Sequence, residues 1–413
     1  MASLSEKLKT LGVKTGASEL PPPRPRRTGG LEAVLSGRPC ATHTGETYLV
    51  EARYPQDYAH GRCCLLPQAP LNRLAAWAGE ERLVECPPQN LAFIDTETTG
   101  LGIAAGTYAF LVGVGRFEGD EFHLAQFFMR DPIEEPAQLA ALEDFLAPCQ
   151  ALVSFNGKAF DVPILNARYT LHGWRSPLAG AAHVDLLHLA RRLWRDRLPS
   201  RTLGNLEVQI LGARRTEEDV PGWMIPQLYM DYLRSGDAGP LKSVFYHNAM
   251  DILSLAALFN HTSALLDDPF EHEVEHELDR IALAKLYDDL GESGTAENLY
   301  RLALAGDLPG GPRAEAAMRL ALLYKRQGAP EEAVPLWEQA AGLGLYEAHL
   351  ELAKYYEHRR RELEPALAWT ESAAALVRAA PIPIFERRQR LEELSHRRER
   401  LERKRLRKDN NGG

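Results

Sequence analysis

The sequence predicts a mixed α/β domain followed by an all-helical repeat domain. Three observations carry this. Strand-like segments at Leu91–Ile94, Tyr108–Val114 and Glu121–Met129 open a region running to about Asp268. Helix and strand patterns then alternate within it, which suits a mixed sheet flanked by helices. After about Glu271 the strand signals stop, and a helical motif recurs three times.

The elements follow in order. Residues 1–30 contain Pro21-Pro22-Pro23-Arg24-Pro25-Arg26-Arg27, which forms neither a helix nor a central strand. They are expected to be a disordered leader. Residues 31–90 are short and turn-rich, with one strand at Thr47–Tyr54. They are expected to form an accessory region. Residues 91–268 hold the α/β domain: the three strands above, a helix at Glu134–Leu146, a strand at Ala151–Phe155 and a helix at Val162–His172. Val184–Arg192 continues the alternation. The glycines at 113, 115 and 119 punctuate the early hairpin pattern.

In residues 271–380, Leu283-Ala284-Lys285-Leu286-Tyr287 matches Leu320-Ala321-Leu322-Leu323-Tyr324 and Leu352-Ala353-Lys354-Tyr355-Tyr356. Each is followed by a polar turn and a second apolar-periodic helix. Ala296, Ala333 and Ala366 correspond in those second helices, and Ala303, Ala340 and Ala373 follow two turns on. Helical pairs at roughly 34 residues are the signature of tetratricopeptide repeats. Stacked pairs bury a continuous core and leave a face for a protein partner. Residues 386–413 form a charged tail, read as a solvated, frayed helix.

Composition narrows the class. The 413 residues are 45% apolar and 25% charged, as in a soluble globular protein. No apolar run is expected to span a bilayer, and no secretory leader is visible. The five cysteines show no zinc spacing, so a reducing cytoplasm is expected. The net charge is -9, yet residues 386–408 carry eleven Lys/Arg against five Glu. That stretch has a net of +6, so the remainder of the chain carries -15. Such a balance predicts weak affinity for long nucleic acid, which depends on Lys/Arg contacts to phosphates.

Three motifs carry the chemistry. Phe93-Ile94-Asp95-Thr96-Glu97-Thr98-Thr99-Gly100 sets two carboxylates two residues apart at a strand end, hence on one face. Like charges side by side are costly unless a cation compensates them, and a hard divalent ion takes oxygen ligands. Ser154-Phe155-Asn156-Gly157-Lys158-Ala159-Phe160-Asp161-Val162-Pro163 runs from a strand through an Asn-Gly turn into a helix. Taken alone, Asp161 reads as a cap of that helix. In Tyr246-His247-Asn248-Ala249-Met250-Asp251, His247 and Asp251 lie four apart and share a helix face. An apolar helix is expected from Ile252 to Phe259.

In this order the motifs resemble the DEDD exonuclease superfamily, over roughly residues 91–265. The first motif is close to the family's usual form. The Asp161 motif resembles that of family-B polymerase proofreading domains. The overall layout is similar to the bacterial YprB-type proteins, predicted ribonuclease-H-like exonucleases. The resemblance implies a ribonuclease-H-like fold and 3′–5′ hydrolysis of single-stranded DNA or RNA ends. It implies Asp95, Glu97, Asp161 and Asp251 as ligands of two divalent ions, Mg2+ or Mn2+. One branch of the family places His five residues before the last Asp, and the other places Tyr four before it. This chain has Tyr246 at five and His247 at four. His247 is the expected general base, because its ordinary pKa is near neutral. Tyr246 is the alternative.

Thr98 and Leu101 sit where the family's first motif meets the terminal nucleotide. Phe155, Asn156 and Phe160 are further candidates for substrate contact, the aromatics by stacking on bases. Lys158 is a weaker candidate for a phosphate. Asp185 is expected behind the ligands and not among them. Two other readings remain open. In one, the repeats are the working surface and the α/β domain a binding or scaffold module with little turnover. In the other, the enzyme hydrolyses short oligonucleotides. No membrane partner is expected.

Overall fold

A computed structural model describes residues 30–411, apart from residues 56, 101–105 and 272–273. Nearly all of the expected leader and Leu101 therefore lie outside the described residues. The strands are β1 (Gly37–Thr42), β2 (Gly45–Pro55), the two-residue strands β3 (Ala59–His60) and β4 (Cys63–Cys64), β5 (Leu91–Thr98), β6 (Ala109–Glu118), β7 (Glu121–Phe128), β8 (Ala151–Ser154) and β9 (Ala182–Asp185). Seven of them form one sheet in the order β1-β2-β7-β6-β5-β8-β9. The first five of that order pair antiparallel, and β5-β8 and β8-β9 pair parallel. This is the mixed sheet flanked by helices that the sequence predicts.

The accessory region expected at 31–90 contributes strands to this sheet. β2 pairs along β7, from Tyr48 opposite Phe128 to Pro55 opposite Glu121, so β1 and β2 widen the sheet. Tyr48 is buried there, and Thr47 Oγ1 donates to the carbonyl of Phe128 at 2.9 Å.

Alternation along β5 divides the core. Ala92 and Ile94 face a cluster with Leu142, Ile164 and Leu165, from helices α1 (Glu135–Leu146) and α2 (Asp161–Leu171). Leu91 and Phe93 face the opposite cluster, with Leu255 and Phe259 of the long helix α4 (Leu241–Asp267). Between them in sequence, α3 (Leu186–Trp194) covers the β9 side. Helix α4 is long and apolar enough to cross a bilayer, contrary to the expectation that no segment would be. Yet 72% of its most apolar window is buried inside the molecule, where the sheet supplies the apolar surroundings.

Helical pairs follow: α5 (Glu277–Asp289) with α6 (Ser293–Ala305), α7 (Gly310–Arg326) with α8 (Pro330–Gly342), and α9 (Tyr346–Tyr355) with α10 (Leu363–Ala379). The six corresponding alanines, 296, 303, 333, 340, 366 and 373, are all fully buried. A side chain no larger than methyl lets paired helices approach closely. The helical region shares a core with the sheet domain, since Leu253, Leu283, Leu299 and Ala333 belong to one cluster.

The charged tail is helix α11 (Ile384–Asn411), and it is docked rather than merely solvated. Leu394 and Leu401 are buried on one side. The Glu357 carboxylate, also buried, accepts from Arg397 at 3.1 Å, Arg400 at 2.8 Å and Lys404 at 2.7 Å. A thin leucine stripe spread among arginines leaves the average hydropathy low and conceals the packing.

Candidate active site

The site forms where β5 outruns β8. Their parallel pairing ends at Phe93 opposite Val153, so Asp95 and Glu97 project beyond it on the face turned toward α4. A register shift between Glu97 and Thr98 ends the regular ladder with β6. Asp95 is opposite Gly113, and that glycine matters. A Cβ there would stand 2.1 Å from Oδ1 of Asn248 on α4. Without it, Asn248 reaches in and donates from Nδ2 to Asp95 Oδ2 at 2.9 Å. Gln126 Nε2 in turn donates to Asn248 Oδ1 at 2.9 Å and to the Phe245 carbonyl at 2.8 Å. The carboxylate thus rests on a buried amide chain from β7 and α4.

Asp161 arrives through the turn after β8. Asn156 takes a left-handed φ of 68°, which Asn tolerates better than most residues. A Cβ on Gly157 would lie 2.5 Å from Ser154 Oγ and 3.1 Å from Asp161 Oδ2. Asp185 holds the turn by accepting from the backbone N–H of Asn156 at 2.7 Å and of Lys158 at 3.1 Å. It also caps α3 through Leu187 N–H at 3.1 Å. Beside it, Ser154 Oγ pairs with His183 Nε2 at 2.7 Å, and burial pulls the His183 pKa down to about 4. Asp161 opens α2 but does not cap it. Its Oδ1 instead accepts from Thr96 N–H at 3.1 Å and from the Thr96 hydroxyl.

Helix α4 begins at Leu241, eleven residues before the start expected at Ile252, so His247 and Asp251 lie one turn apart on it. His247 Nε2 is 3.4 Å from Asp251 Oδ2. Glu97, His247 and Asp251 each present a ligand atom within 4.8 Å of the others. Tyr246 is turned elsewhere, and its hydroxyl accepts from Thr216 N–H at 2.9 Å.

The electrostatics are those of a site short of positive charge. Burial raises Asp95 well above the usual carboxylate range, and the charges of Asp251 and Asp161 add to this. Glu97 is raised by burial and then by Asp95, Asp251 and Asp161. Asp161 is pushed up to about 6, chiefly by burial, against the lowering effect of the Thr96 hydrogen bonds. Clustered hard oxygen donors that resist ionisation together, with an imidazole beside them, fit a divalent cation.

Other predicted residues are placed less centrally. The Thr98 hydroxyl donates to the Gly100 carbonyl at 2.8 Å. Phe155 packs against the core, and Phe160 is 41% exposed just before Asp161. Lys158 is exposed.

Several residues of the site are not announced by the sequence motifs. Arg215 donates from Nη2 to Asp251 Oδ1 and from Nε to Glu207 Oε2 at 2.8 Å. Asp219 Oδ1 accepts from His247 Nδ1 at 2.8 Å, which directs Nε2 toward Asp251. Both residues lie in Arg214-Arg215-Thr216-Glu217-Glu218-Asp219, a charged run that reads as a solvated loop. Trp223 is 81% exposed on the short Gly222–Met224 turn, and a Cβ on its neighbour Gly222 would be 3.8 Å from His247 Nε2. For Trp223 the sequence offers one signal, a tryptophan directly after the turn-forming pair Pro221-Gly222, just past that acidic run.

Carboxylates at the end of a central strand, faced by a helix carrying a third-motif histidine, agree with the match of residues 92–263 to the RNase_H superfamily. Residues 92–263 thus form a domain of that superfamily, whose members are typically nucleic-acid hydrolases that use divalent metal ions. The chain is 35% identical over 333 residues to "Uncharacterized protein YprB" of Bacillus subtilis (strain 168), a match covering 78% of this chain and 79% of that protein. It belongs to the same family as that protein.

Proposed function

We propose that the protein is a metal-dependent 3′–5′ exonuclease of the DEDD type acting on single-stranded ends. The gathering of Glu97, His247 and Asp251 within 4.8 Å of one another, with Asp95 and Asp161 close enough to add to the crowding of negative charge, is the observation that carries this reading. These four residues would hold two divalent ions, which supply an activated water and stabilise the leaving 3′-oxygen. His247 Nε2 takes the water's proton, and Asp219 keeps the imidazole in the tautomer that leaves Nε2 free. Tyr246 is disfavoured as the base because its hydroxyl is bound to Thr216. Exposed aromatic rings at Phe160 and Trp223 favour single strands, whose unpaired bases stack on such faces.

The six buried alanines support reading the helical pairs as tetratricopeptide-like repeats that receive a protein partner.

The test is release of mononucleotides from single-stranded DNA and RNA of increasing length with Mg2+ or Mn2+. Release at all lengths that stops in EDTA is the expected result. Affinity that persists in EDTA with no nucleotide released defines a binding module. A rate that falls steeply with length defines an oligonucleotide hydrolase.

A further inference from the structure

Arg215 places a fixed positive charge inside the acidic cluster, and its support is buried. Glu207, which accepts from Nε, is 1% exposed. Behind Glu207 lies His60 Nε2 at 3.6 Å, itself bonded to Ser254 Oγ at 2.8 Å. A carboxylate this deep is retained only with a charged or hydrogen-bonding partner. The guanidinium is therefore built into the fold, and its stem is held from the protein side. Its Nη1 and Nη2 edge faces the site instead. Nη2 donates to Asp251, and Nη1 lies 3.3 Å from His247 Nδ1 and 3.6 Å from Asp219 Oδ2.

We propose that Arg215 is a substrate-phosphate ligand that occupies the Asp251 side of the metal site until nucleic acid arrives, coupling phosphate binding to loading of the second divalent ion. The proposal rests on the nuclease reading above. A divalent ion on Asp251 and a guanidinium on the same carboxylate repel each other, so the two compete for it. An incoming phosphate relieves that competition. Its oxygens match the planar two-pronged donor edge of arginine as well as a carboxylate does. The Nε bond to Glu207 can persist while the outer nitrogens exchange Asp251 for phosphate. Asp251 is then free for the ion, and each ligand tightens the other by the same factor.

The test is Mn2+ titration of the full chain, followed by electron paramagnetic resonance of free Mn2+, with and without saturating dTMP as the phosphate probe. Wild type is expected to bind one ion tightly and a second weakly. Adding dTMP should tighten the second by about fivefold or more, the lower end of ordinary coupling. Arg215→Gln should bind both ions tightly and lose the dTMP effect. Arg215→Lys, which keeps the charge without the fork, should keep the weak second ion but respond less to dTMP. Two equally tight ions in wild type, or no effect of dTMP on its isotherm, overturns the proposal even if neither variant folds. An oligonucleotide-cleavage assay on the same preparations separates the two readings. Cleavage without coupling sinks the role of Arg215 alone. Coupling without cleavage sinks the exonuclease reading and leaves the phosphate contact.

Discussion

Replacing Asp161 by Asn should stabilise the metal-free protein while abolishing metal-dependent activity. Asp161 is buried at 7% exposure, and its pKa is raised from an ordinary 3.8 to about 6. For a carboxyl raised in the folded state, the stabilising effect of the proton is fully present below the unfolded pKa. It is lost as pH rises through the folded pKa, here between about 4 and 6. By pH 7.5 the charged form costs the fold up to roughly 3 kcal/mol, because each tenfold change in proton affinity is worth about 1.4 kcal/mol. Asparagine keeps an oxygen to accept from Thr96 N–H and removes the charge. In EDTA at pH 7.5 the variant should melt several degrees above wild type. The gain should shrink steadily as pH falls toward 4. Saturating Mg2+ should stabilise wild type at pH 7.5 and the variant much less. Thermal melts followed by circular dichroism at several pH values, with EDTA or Mg2+, measure all of this. A variant less stable than wild type in EDTA at pH 7.5, or a gain independent of pH, refutes the reasoning.

Three further outcomes follow from the same geometry. His247→Ala should lower turnover by about 10²–10⁴-fold, the usual weight of a general base, while Tyr246→Phe changes it little; single-turnover rates on one oligonucleotide compare them. Gly113→Ala should cost about 1–3 kcal/mol in urea denaturation, because its Cβ would stand 2.1 Å from Asn248 Oδ1 and dislodge the support of Asp95. Trp223→Ala should weaken binding of a short oligothymidylate by about tenfold with folding unchanged, while Trp223→Phe retains most of the affinity, as read by fluorescence anisotropy.

Much of this molecule is legible in the sequence because the relevant signals are local. Strand β5 is a continuous apolar run ending in Asp95 and Glu97, so strand, face and acidity are read from eight residues. The Asn156-Gly157 turn declares itself by composition, and the alanines of the helical pairs by their spacing. What is not legible depends on partners far away in sequence. Strand β2 joins the sheet through pairs such as Tyr48 with Phe128, and nothing near Tyr48 announces them. The start of α4 is hidden because Tyr246, His247 and Asn248 interrupt its apolar pattern. Two of those three, His247 and Asn248, reach site carboxylates rather than the core. Arg215 and Asp219 sit in a run of charges whose ordinary meaning is a solvated loop. Only the fold shows that Glu207 and His247 are waiting for them.

The most direct test of the central claim is a cleavage ladder. Single-stranded DNA and RNA carrying a 5′ label would be incubated with the full chain and Mn2+ or Mg2+, beside Asp95→Ala. The account predicts products that shorten stepwise from the 3′ end with wild type, and none with the variant or in EDTA. An intact substrate with wild type under both metals, or an unchanged ladder from Asp95→Ala, contradicts it.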